Sequence, residues 1–416
     1  MVTEKTYLRF LSLLMVNRVY DSKTITLEYE ESTYAYHLKQ RALKNNHIHK
    51  IQITKRERTI HTVTLYALTR EGFDYLIQHD SNIIQLLGMD EAENYLAVQT
   101  RAERKVERQL KLARDTTALT LSEKAGATIP YSNYTVTLRE TDNDSTTDTS
   151  YSIREYIRDV LTEEAFVGMG LYENVLKESA DMIFYNSTYV KSKASDASNM
   201  ASSRDYLAGR YSGIIDSHLK SVLLFTAPMF GMKWQKWQAD KEMSAYNMWL
   251  KTNSMFDIKK LSEVGRCAAL IVDNAKQFKN LYQNVDNAKR EKGMTFGGTY
   301  DHFYILPLTN DGARHLRWLM HTNDHEINEG AVKDAIESGA FYRNDKGRSR
   351  LFPLLDEEDN QTALGFQLDA KKIMAIEQSA RSAPSDTFTV LCFKWQEPYY
   401  AAVLPENVQT VAIELG

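Results

Sequence analysis

The chain has 416 residues, 43% of them hydrophobic and 25% charged, with 51 Lys and Arg against 55 Asp and Glu for a net charge of −4. That is the composition of an ordinary soluble globular protein, long enough for two or three domains. It excludes a surface that is basic throughout, so any nucleic-acid footprint has to be local. No apolar run approaches the roughly 20 residues that cross a bilayer, and Met1-Val2-Thr3-Glu4-Lys5 lacks the pattern of a signal peptide. Cys267 and Cys392 sit in apolar runs with no partners at metal spacing. They read as buried thiols of a cytoplasmic protein without a membrane partner.

From the N-terminus, Tyr7, Leu8, Leu11, Leu14 and Met15 fall at helical spacing and predict an amphipathic helix over Lys5–Asn17. Ser22–Glu30 carries a weaker helical signal, and its Ile25, Leu27 and Tyr29 fit a strand as well. Glu31-Ser32-Thr33 suits the cap of a helix running to about Asn45, with Asn45-Asn46 suited to its end. Ala35, Leu38, Ala42 and Leu43 share one side of that helix, and Thr33, His37, Gln40, Arg41 and Lys44 the other. Ile48–Thr54 and Ile60–Leu68 are rich in β-branched residues and predict a hairpin with Lys55-Arg56-Glu57-Arg58 at its tip. Thr69 then caps a short helix bearing Phe73, Leu76 and Ile77.

Helix, helix, helix, hairpin, helix is the order of a winged helix. Tyr66-Ala67-Leu68-Thr69-Arg70-Glu71-Gly72-Phe73-Asp74-Tyr75-Leu76 resembles the Y-x-L-T-x-x-G-x-x-x-L exit from the wing in many bacterial winged-helix DNA-binding proteins. In such proteins the third helix enters the major groove and the wing rests on the flanking backbone. Between Ser32 and Thr62 the bases Lys39, Arg41, Lys44, Lys50, Lys55, Arg56 and Arg58 face one acid, Glu57. Gln40 and Arg41 have the forked geometry that reads adenine and guanine edges, while Lys44, Lys55, Arg56 and Arg58 neutralise phosphates. Thr33 and His37 complete the expected DNA-binding set.

The order of elements predicts an α+β protein. A winged helix occupies residues 1–80, a helical connector 81–128 and a larger mixed α/β domain 129–416. Within the connector, Arg101, Arg104, Lys105, Arg108, Lys111 and Arg114 interleave with Glu103, Glu107 and Asp115, the pattern of a solvated helix. Such a helix also suits dimerisation or an extended DNA footprint. Arg139–Asp148 is polar, acidic and aperiodic, and predicts an exposed loop. Lys191–Ser203 predicts a second loop.

The search for chemistry is largely negative. His47-Ile48-His49 has the form of a metal-binding pair, since alternate strand residues share a face. It opens a short hairpin after a helix, however, and His61 is badly placed as a third ligand. There is no G-x-x-x-x-G-K-[ST], and Gly209-Arg210-Tyr211-Ser212-Gly213 misplaces the serine of a nucleophile elbow. Asp216 with Asp240-Lys241 only approximates an endonuclease triad, because no residue separates the second acid from the lysine. His321, Asp324 and His325 have metal spacing, but the helix is expected to end near Thr322. No catalytic residue, metal ligand or cofactor is assigned. Leu223-Leu224-Phe225, Ala268–Val272, Phe303–Leu308 and Phe388–Phe393 predict buried strands. Asn310-Asp311-Gly312 turns into a helix bearing Leu316, Leu319 and Met320.

Several short stretches resemble one family. They are Phe184-Tyr185-Asn186-Ser187, Arg210-Tyr211-Ser212-Gly213-Ile214-Ile215, Met232-Lys233-Trp234 and Tyr300-Asp301-His302-Phe303-Tyr304-Ile305-Leu306-Pro307. Together they are similar to the plasmid replication-relaxation proteins of Gram-positive plasmids and conjugative elements. The resemblance implies an N-terminal winged helix joined to an α/β domain reminiscent of restriction endonucleases. It also implies double-stranded DNA binding at an origin or promoter, in support of plasmid replication or conjugation. Replication or conjugation proteins are the further partners it raises, while the connector helix raises a second copy of the chain. The alternatives are a metal-dependent nickase or relaxase and a ligand-responsive transcriptional regulator.

Overall fold

A computed structural model describes residues 2–29, 32–56, 60–83, 106–129, 135–142, 145–152, 156–157, 161, 182–190, 211–227, 236–290, 300–322, 324–344 and 351–413. The protein is mixed α+β. Its two compact units are Met1–Tyr189 with Pro228–Phe230, and Val190–Ala227 with Gly231–Gly416. Among the described residues no helix is long and apolar enough to cross a membrane.

In the first unit, α1 (Glu4–Asn17) starts at Thr3, whose hydroxyl accepts the Thr6 amide at 3.3 Å. A two-residue strand β1 (Tyr20–Asp21) leads into α2 (Ser22–Tyr29). Helix prevails over the alternative strand because Asp21 caps it. One carboxylate oxygen accepts the Lys23 and Thr24 amides at 2.8 and 3.0 Å, and the other accepts the Thr24 hydroxyl at 2.7 Å. Helix α3 (Ser32–Lys44) ends through Asn46, which adopts φ 57, and through the His47 amide donating to the Ala42 carbonyl at 2.8 Å. Strands β2 (Ile48–Arg56) and β3 (Ile60–Leu68) pair antiparallel from Ile48↔Leu68 to Arg56↔Ile60. β1 lies on the other side of β3, giving the order β1-β3-β2, and α4 (Arg70–His79) follows. The apolar side of α3 read from the sequence goes inward: Ala35, Leu38 and Ala42 are buried with Tyr7, Leu11 and Leu14 of α1, Leu68, and Phe73 and Leu76 of α4. Each large apolar side chain so buried contributes roughly 1.5–3 kcal/mol.

The stretch read as a connector contributes α5 (Val106–Lys124), which is built onto this assembly. Ala113 shares a small core with Val19, Ile53 and Leu65. The Thr117 hydroxyl lies 2.8 Å from that of Thr24 and 3.2 Å from the Asp21 carboxylate. The loop expected over Arg139–Asp148 is a hairpin. β4 (Thr135–Asp142) and β5 (Ser145–Ser152) pair antiparallel from Thr135↔Ser152 to Asp142↔Ser145. Its acids mask the strand signal, but threonine occurs repeatedly on both sides, and β-branched residues favour a pleated ladder whatever their polarity. Strand β6 (Met182–Asn186) takes the Thr128 amide on the Met182 carbonyl at 3.0 Å. Lys191–Ser203 lies outside the described residues.

The second unit contains two sheets. In one, β7 (Gly213–Ser217) and β8 (Ser221–Thr226) form a hairpin. Helix α6 (Lys236–Thr252) leads to β9 (Cys267–Val272), and α7 (Ala275–Arg290) to β10 (His302–Pro307). β8, β9 and β10 are parallel neighbours. Helices α8 (Asn310–His321) and α9 (Asp324–Glu337) lead to the other sheet. Its strands are β11 (Phe341–Arg343), β12 (Leu354–Asp356), β13 (Gln361–Leu364), β14 (Phe388–Phe393) and β15 (Val408–Ile413), adjacent in that order. Helices α10 (Ala370–Ser382) and α11 (Glu397–Val403) make the parallel crossovers β13 to β14 and β14 to β15. All four predicted apolar runs fall on strands, and β8, β9 and β14 are buried along their whole length, as parallel strands covered on both faces must be.

Candidate nucleic-acid interface

Helix α3 presents Thr33, His37, Gln40 and Lys44 to solvent. Their spacing of three and four residues places them in one stripe. Tyr36, 53% exposed, lies beside His37, with ring centroids 5.7 Å apart. No acid occurs in α3, nor between it and Glu57. Lys50 of β2 is exposed. Lys55 and Arg56 belong to the end of β2, which runs two residues beyond the predicted Thr54, and their side chains lie outside the described set. Arg58 lies outside the described residues.

Two of the seven bases are turned to other work. Arg41, expected to read a base edge, forms a salt bridge with Glu4, and its guanidinium carbon stacks 3.9 Å from the Tyr7 ring centroid. The Tyr75 hydroxyl donates to the other oxygen of Glu4. Position 41 is one residue past the 33–37–40–44 stripe, about 100° around the helix, and that rotation delivers Arg41 to α1. Lys39 is buried. Its ammonium donates to the Ser22 hydroxyl at 2.6 Å and lies 5.7 Å from the Tyr66 ring centroid.

The Glu4–Arg41 cluster is invisible to periodicity, because 37 residues separate the partners. Partial burial pulls the Glu4 pKa upward, but the Tyr75 hydroxyl and the Arg41 guanidinium outweigh it and hold the group below its ordinary 4.5. His47 completes the cluster. Its Nδ1 lies 2.8 Å from the Tyr7 hydroxyl, and its ring centroid 4.4 Å from that of Tyr75. Burial first, then the Arg41 charge, lowers its pKa from 6.5.

This also separates the histidine pair. His47 sits in the bend before β2 and is buried, whereas His49 is exposed, so the strand alternation that would put both on one face does not apply. His61 pairs in register with Lys55, and His49 with Ala67. His321 ends α8 with its Nδ1 2.8 Å from the Arg317 carbonyl oxygen, while the side chains of Asp324 and His325 lie outside the described set. Among the described residues no group of three His, Cys, Asp or Glu could hold a metal ion.

The remaining endonuclease-like residues are also placed. Asp216 lies on β7, the strand before β8, and is fully buried. Its carboxylate accepts from Trp249 Nε1 at 3.2 Å, the Ser254 hydroxyl at 2.8 Å and the Met255 amide at 3.1 Å. Burial raises its pKa against those donors. The geometry ties α6 and the turn after it to β7. Asp240 and Lys241 lie on α6, where Tyr246 and Leu250 are buried. Cys267 and Cys392 are buried thiols, and burial pushes Cys392 up to about 12. No protein-family model, curated protein or solved structure matches this chain.

Proposed function

We propose that α1 to α4 with β1 to β3 form a winged helix that binds double-stranded DNA, α3 lying in the major groove and the β2–β3 hairpin on the flanking backbone. The observation that carries this reading is the exposed stripe of Thr33, His37, Gln40 and Lys44 on a helix without acids, followed by the basic hairpin tip. Supporting it are the element order and the antiparallel arrangement β1-β3-β2. Gln40 matches an adenine edge by donating and accepting in one plane, and Thr33 and His37 are placed for neighbouring bases or phosphates. Lys44, Lys55, Arg56 and Arg58 supply counterion release. Arg41 holds α3 on α1 and reads no base. The short stretches that resemble plasmid replication-relaxation proteins support an origin or promoter of a mobile element as the target, in the service of its replication or transfer.

Selection from a random duplex pool with the full-length chain, followed by fluorescence anisotropy on the enriched duplex, tests the proposal. A recovered consensus with salt-dependent affinity is expected. Binding that shows neither sequence enrichment nor weakening as salt rises defeats it.

A further inference from the structure

We propose that the second unit carries a binding site for a small, flat, apolar molecule bearing one positive charge. The site is a cavity of about 570 Å³ between α8, α9 and the β13–β15 side of the second sheet. That volume lies within the ~300–1,000 Å³ of small-molecule pockets. Phe366, Leu391 and Phe393, all buried in the unit's own core, line it. Trp318 adds a third aromatic ring, edge-on to Phe393 at 5.8 Å, and Phe366 lies 4.9 Å from Phe393. Such a lining favours a flat apolar body.

The charge follows from Asp334, the only acid among the described lining residues, which include His321 but no Lys or Arg. Asp334 is exposed and has no ion-pair partner among the described residues, while its neighbour Lys333 pairs with Glu337 at 3.7 Å. A carboxylate beside aromatic rings attracts a cation through both the charge and the ring quadrupoles, and repels an anion of the same size. Gly330 of α9 also lines the cavity, and an added Cβ there would meet nothing within 4 Å, which leaves room for a larger side chain. This site is independent of the DNA-binding reading, and either can fail without the other.

Isothermal titration calorimetry on the full-length chain tests it with three probes that share one ring system: 1-naphthylmethylamine, 1-naphthylmethanol and 1-naphthylacetate. The amine is expected to bind about tenfold tighter than the alcohol, and the acetate more weakly than either. Asp334→Asn should bring the amine to the affinity of the alcohol. Gly330→Trp should abolish binding of all three, with an unchanged circular dichroism spectrum. The proposal is overturned if no probe binds, if the acetate matches the amine, or if folded Gly330→Trp binds as the parent does. Should Gly330→Trp fail to fold, the surface substitution Asp334→Asn decides alone, and an undiminished preference for the amine overturns the proposal.

Discussion

At the scale of single residues, solvent exposure separates reading from holding. Gln40 and Lys44 are exposed on α3 and Arg41 is not free. Gln40→Ala is therefore expected to relax preference at one base position by about 1–3 kcal/mol. Lys44→Ala should weaken all duplexes alike and lower the salt slope by about one unit. Anisotropy titrations against matched and mismatched duplexes at several salt concentrations measure both. Arg41→Ala should instead loosen α3 from α1 and lower stability while leaving base preference intact. His47 supplies a pH dependence. Its folded-state pKa lies below 6.5, so the unfolded chain takes up the proton first. Its contribution is complete above pH 6.5 and is lost as pH falls from there through the folded-state value. Urea denaturation from pH 7.5 to 5 should show His47→Gln less stable than the parent at neutral pH, with the gap narrowing in acid. A constant gap would exclude this role for His47.

Among the elements, the segment Leu68-Thr69-Arg70-Glu71-Gly72 has a mechanical explanation. Thr69 caps α4 by accepting the Gly72 amide at 3.0 Å, its own amide donates to the His47 carbonyl at 3.0 Å, and its hydroxyl donates to the Asn46 carbonyl. A Cβ at Gly72 would lie 2.1 Å from that His47 carbonyl oxygen. The first turn of α4 is thus pressed onto the start of β2, and only glycine fits. Gly72→Ala should cost about 1–3 kcal/mol by overpacking, read as a lower urea midpoint. Leu308-Thr309-Asn310-Asp311-Gly312 repeats the pattern in the second unit. Thr309 caps α8, and a Cβ at Gly312 would lie 1.8 Å from the Pro307 carbonyl oxygen. The phrase read as a wing exit thus also serves as a strand-to-helix junction elsewhere in the chain, so the DNA-binding reading rests chiefly on the exposed stripe. Thr117 offers a second test. Thr117→Val removes a hydroxyl from the Asp21 cap and should cost about 1 kcal/mol or more, measured by the same titration.

For the molecule as a whole, distance along the chain sets what a sequence reveals. Where a signal is local, the reading is close. The spacing of Tyr7, Leu11 and Leu14 marks α1, the β-branched runs mark β2 and β3, and the apolar runs mark β8, β9, β10 and β14. The outward stripe of α3 was legible for the same reason, since a helix repeats every 3.6 residues whatever surrounds it. Asp216 shows the opposite case. Nothing near it in sequence announces that Trp249, Ser254 and Met255 will converge on its carboxylate. Asp216→Asn should cost about 1–3 kcal/mol, because the new amide group confronts donors, and thermal unfolding of the full chain measures it. The cavity between α8, α9 and the second sheet likewise draws on segments from Trp318 to Ile413. The sequence by itself determined which stretches are helix or strand and which faces are apolar, because those depend on neighbours a few residues away. Only the tertiary structure decided that Arg41 and His47 contact α1, that Asp216 is a buried tie, and that a pocket opens beside Asp334. Each of these depends on which distant side chains meet, and a period of two or 3.6 residues carries no information about that.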